Sequence, residues 1–183
     1  MNCQMLALHE SAHALLGFLC GQFVKSVSLD TDGFNGTCDV LIMRDGPRYI
    51  LPFELAVIAS ELFFHGARLE LDNPGWTTDL NNAKETINQE AGHRVAHPFA
   101  SEFFKNRFRY ASEMVVLHSG AIRSLSVDLR INGSLAHGDV RAALAHEKTC
   151  MENAALSRGE RARMARVALE DDGAELRSEV GTP

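Results

Sequence analysis

From Met5 to Leu19 the chain is apolar on almost every side: Leu6, Ala7, Leu8, Ala12, Ala14, Leu15, Leu16, Phe18 and Leu19 leave no continuous polar face. That run of good helix formers predicts a buried helix from about Gln4 to Leu19, stopped by Gly21. Val24–Leu29 and Thr37–Met43 are β-rich runs, separated by the turn-forming stretch Asp30–Gly36. They predict a hairpin or small sheet beside the first helix. A loop follows at Arg44–Pro47, and Pro52 suits the first turn of a second helix that runs to about His65, with Gly66 as its stop. Val57, Ile58, Ala59, Leu62, Phe63 and Phe64 assign that helix to the core.

Leu71–Trp76 reads as a loop, after which Thr77 or Thr78 is expected to cap a third helix beginning near Asp79. Pro98 is expected to open a longer amphipathic helix carrying Phe99, Phe103, Phe104, Phe108, Met114 and Val115, broken near Gly120. Two more helices are expected, over Ala121–Arg130 and Asp139–His146. Beyond Cys150, Arg, Glu, Ala and Ser dominate, which predicts a charged tail that is partly helical or disordered. The expected architecture is mainly α (α+β), with one domain over residues 1–149 and the tail over 150–183.

Composition changes this picture little. At 183 residues, 45% apolar and 23% charged, the chain has room for one substantial core. The formal net charge of −6 and the lack of a basic stripe argue against nucleic acid as a partner. No apolar stretch approaches the roughly 18–20 residues that span a bilayer, and no signal peptide is expected. Four cysteines at 3, 20, 38 and 150 form neither a CxxC pair nor a disulfide framework, which suggests a reducing, cytoplasmic setting.

The polar exceptions in the first helix carry the chemistry. His9-Glu10-Ser11-Ala12-His13 places two imidazoles one turn apart on one face, able to share a tetrahedral metal ion. Glu10 follows the first histidine, so its carboxylate reaches a water at that metal rather than the metal itself. In a buried helix, His and Glu need partners, and a zinc ion would supply them. A zinc peptidase requires a third protein ligand and an open fourth position. Position alone leaves the third ligand open. Asp79 is favoured by the dipole of the third helix, and Glu61 is a carboxylate within an apolar helix that would serve equally as an orienter of a ligand histidine. His65 sits near a helix end, and His93 and His97 are separated from any helix by Gly92 and Pro98. His118, His137 and His146 read as surface residues.

The chain resembles the peptidase domain of the FtsH family, the membrane-bound ATP-dependent zinc proteases. His9-Glu-Ser-Ala-His-Ala14 is similar to the family's HEAGHA. Gly75-Trp-Thr-Thr-Asp79-Leu-Asn-Asn-Ala83 is similar to its Gly-Ala-x-Asn-Asp-Leu-x-x-Ala, and Ala59–Gly66 and Glu113–Leu144 are weaker echoes. The resemblance covers residues 5–147. It implies that Asp79 is the third zinc ligand beside His9 and His13, that Glu10 is the general base, and that Glu61 lies behind the ligands or in the packing. It implies a zincin-like metallopeptidase acting on a peptide or protein substrate. No Walker A loop and no membrane helix are present, so the chain would act alone, as a homo-oligomer, or with a separate ATPase partner. Ser11 and Ala12 stand where the family has Ala-Gly, and Thr78 where it has Asn.

Two other readings are compatible with the motif. One is a non-catalytic zinc-binding module, which would have no use for Glu10. The other is a small cytoplasmic HExxH protease that cuts one regulatory protein, with Glu61 or a neighbour as third ligand.

Overall fold

A computed structural model describes residues 3–30, 35–43, 47–66 and 76–155, the side chains of 47–49 excepted. It is mainly helical with one small antiparallel sheet. Two compact units divide at Leu144/Ala145. In the second, residues 145–155 are helical; the remainder of the tail predicted over 150–183 lies outside the described residues. Among the described residues no helix is long and apolar enough to cross a membrane.

The first helix, α1 (Cys3–Leu19), is the central element of the first unit. Every residue from Leu6 to Gly17 is buried, as an all-round apolar helix requires. It packs against α2 (Pro47–His65), α5 (Ser119–Asn132) and the hairpin of β1 (Phe23–Leu29) and β2 (Gly36–Leu41). The α3 helix (Thr77–Ala91) and α4 (Glu102–Leu117) pack on α2. Gly133, in the left-handed region at φ 73°, ends α5 and turns the chain into a two-residue strand, β3 (Ser134–Leu135). Helical residues 137–144 close the unit.

Sheet order is β2-β1-β3, so β1 lies between two strands and, among the described residues, β2 is an open edge. The register pairs Val27 with Cys38 and Leu29 with Gly36, with an irregularity between Val24 and Ser26. That bulge inserts Lys25, which lets Val24 and Val27 both be fully buried although three apart. Along β2 the alternation is regular: Gly36, Cys38 and Val40 are half-buried, while Thr37, Asp39 and Leu41 are exposed.

Several predicted boundaries are corrected. The second helix starts at Pro47, not Pro52; Pro52 lies inside it and leaves one first-turn carbonyl without its usual N–H partner. The third starts at Thr77 behind Trp76, with no side-chain cap, so neither Thr77 nor Thr78 caps it. Pro98 begins a short 3-10 turn (Pro98–Ala100), and Ser101 caps α4 by accepting from the Phe104 N–H at 3.2 Å. The break after α4 falls at His118, and Gly120 is inside α5. The last helical run covers 137–155 rather than Asp139–His146. The strand expected through Met43 ends at Leu41. Most of the predicted loops at Asp30–Gly36, Arg44–Pro47 and Leu71–Trp76 lies outside the described residues.

Candidate metal centre

His9 and His13 stand one above the other on α1, ring centroids 5.3 Å apart. Across the cleft, Asp79 is the third residue of α3, where free backbone N–H groups and the helix dipole favour a carboxylate. His13 Nε2 is 3.2 Å from Asp79 Oδ1, and His9 Nε2 is 4.0 Å from Asp79 Oδ2. One donor atom from each of the three lies within 4.8 Å of the others, a group that could hold a metal ion. Glu61 is not part of it.

The far nitrogens of both rings face fixed acceptors. His13 Nδ1 donates to the Phe53 carbonyl at 2.9 Å, which leaves Nε2 as the atom facing Asp79, a donor to the carboxylate when protonated and a potential metal ligand when not. His9 Nδ1 faces Glu61 Oε1 at 3.5 Å, and the other oxygen of Glu61 accepts from the Trp76 indole N–H at 2.7 Å. Trp76 is fully buried and immediately precedes α3. One carboxylate therefore orients His9 and anchors the start of the helix that delivers Asp79. Metal-binding histidines commonly have such supported Nδ1 atoms.

Burial alone would push His13 down; its hydrogen bond to Asp79, with the charges of Asp79 and Glu10, reverses this and leaves it above the ordinary imidazole value. A cation at this position would displace a proton from His13, so its affinity should weaken in acid.

Glu10 is buried, with Oε1 3.9 Å from His9 Nε2. Burial raises its pKa, outweighing the opposing pull of His13 and His9, and Asp79 adds to the rise. The carboxyl thus holds a proton more readily than an exposed glutamate. Its position depends on a residue with no side chain. A Cβ on Gly36 would lie 2.6 Å from Glu10 Cγ and 2.8 Å from Oε1. Gly36→Ala should therefore displace the Glu10 carboxylate or the start of β2, at a cost of about 1–3 kcal/mol. Urea unfolding beside wild type measures this; an unchanged midpoint would show that the strand yields freely.

Glu10, His9, His13 and Asp79 open into a cleft of about 580 Å³, walled by Gly36, Cys38, Leu6, Phe53, Thr78 and Asn82, among others. No protein-family model matches the chain, and a search of curated proteins finds no match.

Behind the cleft, Glu54 joins α2 to α3. It is 8% exposed, accepts from the Thr86 hydroxyl at 3.1 Å through Oε1, and has no partner for Oε2 among the described residues. Burial, helped by Asp79 and Glu85 against Thr86 and His13, pushes its pKa up to about 7. Between pH 4.5 and about 7 the folded chain thus binds this proton more tightly than the unfolded chain, and stability falls as pH rises through that window. Glu54→Gln keeps an acceptor for Thr86 and removes the titration. In chelator-treated protein its stability relative to wild type should rise between pH 5 and pH 8 by up to about 3 kcal/mol. A difference that stays constant with pH in urea titrations would refute this.

The other histidines do not join the site. His65, His93, His97 and His146 are exposed. His137, expected at the surface, is half-buried because its ring stacks on Phe23 at 4.5 Å and lies against Phe18 at 4.9 Å. His118 is half-buried at the junction of α4 and α5. Sequence reasoning missed Trp76, Glu54, Gly36 and the Phe53 carbonyl. Only Trp76 offered a signal, as the one tryptophan in the chain, placed directly before the helix of Asp79.

Proposed function

We propose that the chain is a zinc-dependent metallopeptidase, related to the FtsH peptidase domain and working without an ATPase of its own. One observation carries the reading: His9, His13 and Asp79, from two separate helices, turn donor atoms toward one point, with Glu10 beside it in an open cleft. Two imidazoles and a carboxylate are a donor set suited to a catalytic zinc site. When bound, zinc would supply a Lewis acid that polarises the scissile carbonyl and lowers the pKa of water.

The chain's own residues would do the rest. Glu10 takes the proton of the attacking water and passes it to the leaving amine. Phe53 and Glu61 keep the two Nε2 atoms aimed at the metal through the Nδ1 contacts described above. An extended peptide would lie along the open edge of β2, whose Gly36 and Cys38 wall the cleft, as an added strand. β1 offers no such edge, since it lies between β2 and β3. A cytoplasmic setting belongs to the same proposal, since Cys3, Cys20, Cys38 and Cys150 are all free thiols.

The test is metal content by mass spectrometry together with hydrolysis of unfolded casein, with and without 1,10-phenanthroline. About one zinc per chain and chelator-sensitive hydrolysis would support the reading. Zinc without hydrolysis would favour the non-catalytic module, and no zinc after reconstitution would sink both.

A further inference from the structure

On another face of α1, a second cleft of about 510 Å³ is built from three helices. The α1 helix contributes Gln4, Met5 and Leu8, α2 contributes Phe64 and His65, and α5 contributes Arg123, Ser126, Val127 and Arg130. The size is that of small-molecule sites. Its chemistry is one-sided. The chain has 24 acidic residues against 18 Lys and Arg, yet among the described residues no acid lines this cleft.

The stripe along α5 is ordered cation, apolar, cation. Arg123, Val127 and Arg130 follow at spacings of four and three, so they share one helix face and span about 10 Å. Among the described residues neither arginine has a carboxylate partner. Arg123 is held with its guanidinium carbon 5.0 Å over the Phe64 ring, which orders the fork without using its edge N–H groups. Val127, between the two cations, is 49% exposed.

We propose that this cleft binds a small organic anion with an apolar body, such as a medium-chain or aromatic carboxylate. The arginines would hold the anionic head, and Val127, Met5, Leu8 and Phe64 would cover the body. Inorganic phosphate would leave those four side chains wet. An acidic protein segment is disfavoured because the cleft is small and its cations number only two arginines. The site stands apart from the metal chemistry and does not rest on it.

The probe is 8-anilinonaphthalene-1-sulfonate, an anion on an aromatic body, titrated into the metal-replete protein by fluorescence. Its neutral analogue N-phenyl-1-naphthylamine serves as the control. Saturable one-to-one binding of the anion is expected, displaced by decanoate and weakened at least tenfold in R123Q/R130Q with unchanged circular dichroism. Binding of the neutral analogue should be at least tenfold weaker in wild type. Equal binding of both probes, or an unchanged anion affinity in R123Q/R130Q, would mean an apolar patch only and overturn the proposal. Displacement by an acidic peptide but not by decanoate would overturn it in favour of a protein partner.

Discussion

Glu10→Gln should keep about one zinc per chain and lose peptide hydrolysis, with kcat/KM falling by roughly 10²–10⁴, the usual contribution of a positioned general base. Gln is nearly isosteric, so the clearance left by Gly36 is respected and the fold should be undisturbed. The amide cannot accept the proton of water at neutral pH. Metal content and casein hydrolysis must be read on the same preparation. Full zinc with wild-type hydrolysis would remove Glu10 from the mechanism, and loss of both would assign it to the metal instead.

The second large effect is expected at Asp79. Asp79→Ala removes one of three donors and leaves His13 Nε2 without the carboxylate at 3.2 Å. Zinc affinity should fall well beyond the roughly 10–100-fold typical for loss of an outer hydrogen-bond partner. Trp76→Phe, which strips Glu61 of its 2.7 Å donor while preserving an aromatic ring, should fall within that smaller range. A competitive chelator titration ranks the variants. If Glu61→Ala released zinc more readily than Asp79→Ala, the third ligand would lie on α2 and the arrangement proposed here would fail.

The parts of this site differ in how far sequence could reach them. His9, Glu10 and His13 were legible because a helix converts spacing directly into a shared face, and the apolar residues around them declare that helix. Asp79 was not legible in this way. It is 66 residues beyond His13, and only the resemblance singled it out from Glu61. Glu61 could be suspected as a carboxylate in an apolar helix, but its two partners, His9 and Trp76, are set by tertiary packing. Gly36 was hidden in a turn-like stretch where glycine is unremarkable, although its role is to stay clear of Glu10. Glu54 was hidden by the boundary error: a helix begun at Pro52 makes it an ordinary first-turn acid, whereas a start at Pro47 puts it in the interior.

The fold shows the same division. The buried first helix and the hairpin follow from local pattern, and the paired strands begin within one residue of their predicted starts. Strand β3 has two residues and carries no periodicity; it exists because Gly133 turns the chain back along β1. Gly120 looked like a stop, yet α5 runs through it, since its packing on α1 outweighs the modest helix penalty of one glycine.

The burial of α1 on all sides bears on how the site can fail. Binding and catalytic groups are commonly carried on loops, which open locally at little free-energy cost. Here His9, Glu10 and His13 belong to the element that has, among the described residues, the longest unbroken buried stretch, pressed between two helices and the sheet. Exposing their backbone requires dismantling that packing. The histidine half of the site therefore has no private unfolding route, and its lifetime is that of the folded core.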